Sequence, residues 1–283
     1  MDYSKYSSKG NQFKFRKDGN WYKRDFLGYE GASEYICSEI LRQSNITRFV
    51  PYEILEFQYN HEPMRGCVSR NFLPKDAKLI TVSELYETAY KEKLGQTLQF
   101  QPVEEKIRFT VDMVRELTGL NAFGEYLTTL LELDAFILNE DRHFNNIALL
   151  QYEDESFDYC PIFDNGAAFL SDTTMDYDLS ESDTISMIGR VQAKPFSRSF
   201  TEQTEIARSL YGRQLQLHKS VYLAVNKALT DIRNLYGDKI TDRIYTAFIH
   251  QTAVQKDIFV KTLTVPVWED VLHDRSCDEI ELD

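Results

Sequence analysis

Residues 134–169 read DAFILNEDRHFNNIALLQYEDESFDYCPIFDNGAAF, and two polar clusters about twenty residues apart organise the stretch. The first is Asn139-Glu140-Asp141-Arg142-His143-Phe144-Asn145-Asn146; the second is Asp164-Asn165-Gly166. Leu127, Leu130, Leu131, Leu133, Ala135, Ile137 and Leu138 lead in and cover most faces of a helix, so that helix belongs in the interior. It gives way to a polar loop. Ile147-Ala148-Leu149-Leu150 and Cys160-Pro161-Ile162-Phe163, with the acidic turn Glu153-Asp154-Glu155 between them, read as a hairpin. Helix, loop, hairpin and acidic residue in that order bring both clusters to one end of the hairpin.

Such an arrangement suits phosphoryl transfer. One carboxylate orients a hydroxyl and accepts its proton, while a side-chain amide and a second carboxylate hold Mg²⁺ against phosphates. Asp141 and Asn146 have the five-residue spacing of a protein-kinase catalytic loop, and Asp164-Asn165-Gly166 stands where Asp-Phe-Gly would. Taken singly, an Asp-Arg pair is a surface ion pair and Asp-Asn-Gly is a turn. Their succession after a buried helix gives them weight.

The loop runs Asp-Arg-His rather than His-Arg-Asp. This reversed order resembles the HipA-type serine/threonine kinases, including their shorter CtkA-like members, and also the phosphoinositide kinases. The resemblance implies an α+β, two-lobed protein-kinase-like fold. Residues 1–71 would form a small antiparallel β N-lobe with one helix, and residues 72–283 a larger helical C-lobe. It implies ATP and Mg²⁺ as cofactors, Asp141 as catalytic base, Arg142 and His143 bracing the loop, and Asn146 and Asp164 as metal ligands.

The parts upstream follow in the expected order. Ser7 to Gln12 is a small polar loop able to offer backbone N–H groups to phosphate. Ser8, Gly10 and Gln12 loosely resemble the family's Ser, Gly, Gln loop, whose serine such kinases can modify. Phe13 and Phe15 alternate with Lys14 and Arg16 in a strand, Asp18-Gly19 marks a hairpin turn, and Trp21 to Phe26 return. A strand lysine grips nucleotide phosphates and pairs with a glutamate on the next helix. Lys23 with Glu34 fits that layout, with Lys14 a rival to the one and Glu30 and Glu39 rivals to the other. Val50 to Phe57 and Arg65 to Arg70 read as further strands. Ser69-Arg70-Asn71-Phe72-Leu73-Pro74 is then the hinge, with Ser69 and Asn71 beside the adenine.

Beyond the hinge the pattern turns helical. Val103, Ile107, Val111, Val114 and Leu117 make an amphipathic stripe that begins after Pro102 and ends at Gly119. About thirty polar residues follow Asp164, in the place of an activation segment, and Lys194 to Phe200 close it near a substrate. Helices are expected from Thr201, with Thr201 as cap, and near Leu215–Tyr236, Thr241–Phe259 and Val267–Leu272. His61, His218, His250 and His273 have no metal-ligand spacing.

Composition bounds the rest. The 283 residues are 42% hydrophobic and include 18 Phe and 17 Tyr, enough for two lobes with a sizeable core. A net charge of −13 argues against nucleic acid or an anionic membrane as a main partner. Cys37, Cys67, Cys160 and Cys277 are scattered, as in a reducing, cytoplasmic setting. Met1 to Lys17 is polar and unlike a signal peptide. The sequence opens almost at the phosphate loop, so the extra N-terminal subdomain of full-length HipA proteins, with antitoxin and operator binding, is not expected. The acceptor expected from the resemblance is a serine or threonine of a protein. A phosphoinositide or small-molecule kinase, and an inactive kinase fold used as a binding module, are the alternatives.

Overall fold

The computed structural model describes residues 13–59 and 61–270. The chain opens with β1 (Lys14–Lys17), β2 (Asn20–Arg24), α1 (Glu30–Leu41), β3 (Glu53–Tyr59) and β4 (Glu62–Arg70). The four strands form one antiparallel sheet in the order β1-β2-β4-β3. Asp18 and Gly19 both take positive φ, 50° and 76°, as the two-residue turn joining β1 to β2 requires. Side chains alternate across the sheet. Phe13, Phe15, Tyr22, Phe57 and Tyr59 meet ring to ring on one face. Lys14, Trp21, Lys23 and Ser69 share the other face, which lines a cleft.

The chain then runs through β5 (Ala77–Thr81), α2 (Val82–Tyr90), α3 (Leu94–Leu98), α4 (Val103–Thr118), α5 (Phe123–Ile137), β6 (Ala148–Tyr152) and β7 (Phe157–Tyr159). β5, β6 and β7 form a second antiparallel sheet in that order. The expected hairpin is therefore present, but with Cys160–Phe163 just past its second strand. The strand β5, which no sequence pattern marks, flanks it. Thr81 ends β5 and caps α2 through a reciprocal pair of hydrogen bonds with Glu84, a capping box.

Next come α6 (Thr184–Ile188), α7 (Phe200–Tyr211), β8 (Leu217–His218), α8 (Val221–Tyr236), α9 (Asp238–Val254), β9 (Phe259–Val260) and α10 (Val267–Asp270). Ser199, not Thr201, caps α7, its side chain accepting from the Glu202 N–H. Leu215–His218 is extended rather than helical, because β8 pairs with β9 more than forty residues away.

α5 is buried on nearly all its faces and sits at the centre of the large core. α1 lies tight against β4: a Cβ on Gly31 would sit 2.7 Å from the Gly66 carbonyl carbon. α8 ties this first sheet and its helix to the helical part. Tyr35 Oη donates to Asp231 at 3.2 Å, Tyr236 Oη donates to Asp25 at 2.8 Å, and the Arg65 guanidinium lies 4.9 Å from the Tyr236 ring. Among the described residues no helix is long and apolar enough to cross a membrane, and Cys37, Cys67 and Cys160 are buried free thiols.

The Asp25 contact makes stability depend on pH. Burial pushes the Asp25 carboxyl up to about 6 from 3.8, only partly offset by the Gly31 N–H and the Tyr236 hydroxyl, while Glu30 adds repulsion. A carboxyl with a raised folded pKa stabilises below the unfolded value, and that contribution is lost as pH rises through the folded value. Asp25→Asn is therefore expected to gain about 3 kcal/mol relative to wild type between pH 4 and 7, at 1.36 kcal/mol per pH unit. Urea unfolding of both proteins across this range checks it; a constant difference contradicts it.

Candidate active site

The cleft lies between the first sheet and the loop that follows α5. It has a volume of about 300 Å³ and is lined by Lys14, Trp21, Lys23, Ser69, Asn71, Asp141, Asn146 and Asp164, with apolar walls from Phe72, Leu73, Leu79 and Phe163. A mostly apolar cleft with a few convergent polar groups is the form expected of a ligand site.

The loop is built on Asp134. This acidic residue in an apolar helix is fully buried, and its carboxylate grips Arg142 through Nε at 2.9 Å and Nη2 at 3.0 Å. Arg142 also donates to the Asn146 and Phe163 carbonyls and to Asn165 Oδ1. One side chain thus ties both polar clusters together, which makes Arg142 a positioning residue. Leu138 ends α5 with φ of 58°, a conformation that costs energy for a non-glycine residue. Asn139 then bonds Asp134 and accepts from the Asp141 N–H.

Asp141 and Asn146 emerge from this frame into the cleft. The Asn146 Nδ2 donates to the Asp141 carbonyl at 2.7 Å, so Oδ1 is the atom left to a ligand. His143 stands with Nε2 3.9 Å from Asp141, and its buried Nδ1 has no hydrogen-bond partner among the described residues. Lys194 reaches Asp141 Oδ1 at 3.1 Å. The sequence places Lys194 in the segment expected near a substrate, and the fold brings it onto Asp141. The contact spans 53 residues and carries no local signal. Asp134 did carry one, since an aspartate inside a buried helix needs a partner.

Opposite the loop, Lys23 Nζ sits 2.7 Å from Glu34 Oε1 and 2.9 Å from Asp164 Oδ1, with the Tyr52 hydroxyl at 3.2 Å. Burial opposes charge on Lys23, yet the Asp164 and Glu34 carboxylates outweigh it and hold the ammonium well above the usual lysine pKa. Burial likewise opposes charge on Asp164, and Lys23 outweighs it, holding that carboxyl below its usual value. Glu34 also accepts from the Asn165 N–H at 2.9 Å. The rivals are engaged differently: Glu39 pairs with Arg42, and Glu30 accepts from the N–H groups of Phe26, Leu27 and Gly28. Asp164 itself takes φ of 61°, a left-handed conformation that aspartate tolerates better than most residues. The following segment is sewn to α1 by Ser33 Oγ to the Ala168 carbonyl and Tyr29 Oη to the Phe169 carbonyl.

Just past β4, Asn71 accepts from Trp21 Nε1 at 3.1 Å and donates to the Leu73 carbonyl. Ser69 lies beside Trp21 in the sheet register. Ser8, Gly10 and Gln12, with Ser7, lie outside the described residues.

Oxygen donors from Asn146 and Asp164 suit a hard cation. Among the described residues no group of three or more His, Cys, Asp or Glu is gathered for a metal. The pair therefore fits an ion that takes its remaining ligands from phosphate and water, the usual habit of Mg²⁺ at nucleotide sites.

A small antiparallel sheet with one packed helix, set over a larger helical part with the cleft between, defines a two-lobed protein-kinase-like fold. The chain is similar in structure to the Helicobacter pylori proinflammatory kinase CtkA, with a TM-score of 0.59 over 87% of this chain and 92% of that one, at 15% sequence identity. No protein-family model matches the sequence, and neither does any curated protein.

Proposed function

We propose that the protein is an ATP- and Mg²⁺-dependent phosphotransferase that moves the γ-phosphoryl group to a hydroxyl, with a serine or threonine of a protein as acceptor. The observation that carries this reading is Lys23 held at 2.7 Å from Glu34 and 2.9 Å from Asp164 in the cleft that also holds Asp141 and Asn146. The Helicobacter pylori protein of similar structure, itself a kinase, supports it through its fold.

In this reading the purine lies against Trp21, Phe72, Leu73 and Phe163, and the backbone near Asn71 supplies polar contacts. Lys23, fixed by Glu34, orients the phosphates. Asn146 and Asp164 would hold Mg²⁺, which when bound neutralises charge on the polyphosphate. Asp141 accepts the hydroxyl proton as the oxygen attacks phosphorus and the bond to ADP breaks. Lys194, on Asp141, keeps that carboxylate oriented and adds positive charge where the transferred group passes. Positioning and charge compensation are the main requirements of phosphoryl transfer.

Calorimetry with ATP is expected to show binding that weakens at least tenfold when Mg²⁺ is chelated, and labelled ATP is expected to leave phosphate on protein hydroxyls. Folded protein that binds no ATP at millimolar concentration would overturn the reading. Binding without transfer to protein would point instead to a small-molecule acceptor or a binding module.

A further inference from the structure

We infer that Arg243 is a positioning residue for the transfer step. It fixes the path of the segment after Asp164 and, through Tyr177 and Glu140, braces the Asp141 loop on the side where the acceptor hydroxyl comes in. The inference rests on the phosphotransfer reading of the cleft.

Arg243 stands on α9 among the buried residues Ile240, Ile244 and Ala247 and is itself only 4% exposed. An arginine is seldom buried without partners. Here Nη1 donates to the Tyr177 carbonyl at 2.6 Å, and Nη2 donates to the Asp178 carbonyl at 2.8 Å and the Glu181 carbonyl at 3.1 Å. The planar fork of a guanidinium suits several acceptors at once. All three bonds go to backbone oxygens, so they fix the course of the chain rather than the direction of one side chain. The Tyr29 hydroxyl faces the same guanidinium and donates to the Phe169 carbonyl, which holds the start of the segment from the same place.

Tyr177 carries the constraint toward the catalytic loop. Its ring is buried with Leu170 and Met187, and its hydroxyl donates to the Glu140 carboxylate. Glu140 adjoins Asp141 and also accepts from the Gln192 N–H at 3.3 Å. Two residues beyond Gln192, Lys194 reaches Asp141 Oδ1. The Asp141 loop is thus met by two parts of the segment, and Arg243 holds one of them from 62 to 66 residues further along the chain. Lys23, Asn146 and Asp164 line the cleft, whereas Arg243, Tyr177 and Glu140 are not among the described residues that do. Loss of Arg243 is therefore expected to disturb the acceptor side and spare the nucleotide side. Small misplacements made far from the reacting atoms are enough to slow a reaction that depends on positioning.

The test compares wild type, Arg243→Gln, Arg243→Lys and Tyr177→Phe. Calorimetry gives the MgATP dissociation constant, and labelled ATP gives the initial rate of transfer to serine and threonine hydroxyls of a heat-treated cell lysate. Hydrogen exchange over residues 172–183 is a readout independent of activity. Arg243→Gln is expected to slow transfer by roughly tenfold or more, to leave MgATP affinity within about twofold, and to speed exchange in 172–183 while α4 and α8 keep theirs. Arg243→Lys keeps the charge without the fork and is expected to fall between this variant and wild type. Tyr177→Phe keeps the buried ring and loses only the bond to Glu140; slower transfer with unchanged MgATP affinity is expected, and this variant carries the test if Arg243→Gln does not fold. Folded Arg243→Gln that transfers at the wild-type rate, or exchanges no faster in 172–183, overturns the inference and leaves the phosphotransfer reading standing. Equal loss of MgATP affinity and transfer, with faster exchange throughout, assigns Arg243 to the general fold and also overturns it. Tyr177→Phe at the wild-type rate overturns the link through Glu140. Wild type that binds MgATP but labels no hydroxyl overturns the inference and leaves the nucleotide site. Wild type that binds no MgATP overturns the phosphotransfer reading and this inference together.

Discussion

Asp141→Asn is expected to lower the rate of phosphoryl transfer by roughly 10²–10⁴-fold, the range for loss of a general base, while the dissociation constant for MgATP stays within about threefold. Asparagine keeps the size of the side chain and an oxygen that can still accept from Lys194, now 3.1 Å from Oδ1. It cannot take a proton. Asp164→Ala is expected to weaken both MgATP binding and transfer. It removes an oxygen suited to Mg²⁺ and leaves Lys23 with Glu34 and the Tyr52 hydroxyl. Calorimetry with MgATP and single-turnover transfer on the two variants separate the roles. Equal loss of ATP affinity in both would mean that Asp141, like Asp164, acts on the nucleotide.

The parts of this site that were legible in sequence are those fixed by short spacing. Asp141 and Asn146 meet because the loop turns tightly on itself, with the Asn146 N–H bonded to the His143 carbonyl. Lys23 reaches the cleft because alternation along β2 sends it to the face shared with Trp21. Glu34 was harder to single out. Glu30 precedes it by one helical turn, and both acids lie near the same face of α1. Tertiary contacts separate them: Glu34 pairs with Lys23 and accepts from the Asn165 N–H at 2.9 Å, while Glu30 accepts from the N–H groups of Phe26, Leu27 and Gly28.

What escaped the sequence is non-local. β5 is a five-residue strand whose identity comes from pairing with β6 about seventy residues later. Lys194 owes its position to the segment that packs beside the loop, where Gln203 Nε2 donates to its carbonyl. No periodicity marks either one. Ser199 and Thr201 were equally good cap residues by type. The path of the chain into α7, held by Ser197 Oγ accepting from the Ser199 N–H, decides for Ser199.

The largest effect on stability is expected at Asp134. Its carboxylate and the Arg142 guanidinium have side-chain exposures of 0% and 1%. Asp134→Ala would leave the guanidinium buried without its counter-charge, and breaking such a pair from one side costs about 3–5 kcal/mol. Arg142 would still have the Asn146 and Phe163 carbonyls and Asn165 Oδ1, but these are neutral acceptors. The double variant Asp134→Ala, Arg142→Met removes both charges. It is therefore expected to be more stable than Asp134→Ala, because burying an apolar pair costs less than burying an unpaired ion. It should nevertheless lose transfer activity, since the Arg142 bonds that tie the Asp141 loop to the Asp164 segment are then gone. Urea unfolding of the two single variants and the double variant gives the coupling directly. A cost below about 1 kcal/mol for Asp134→Ala would show that water or a neighbouring group can replace the carboxylate, and that the two clusters are held in place by something other than this pair.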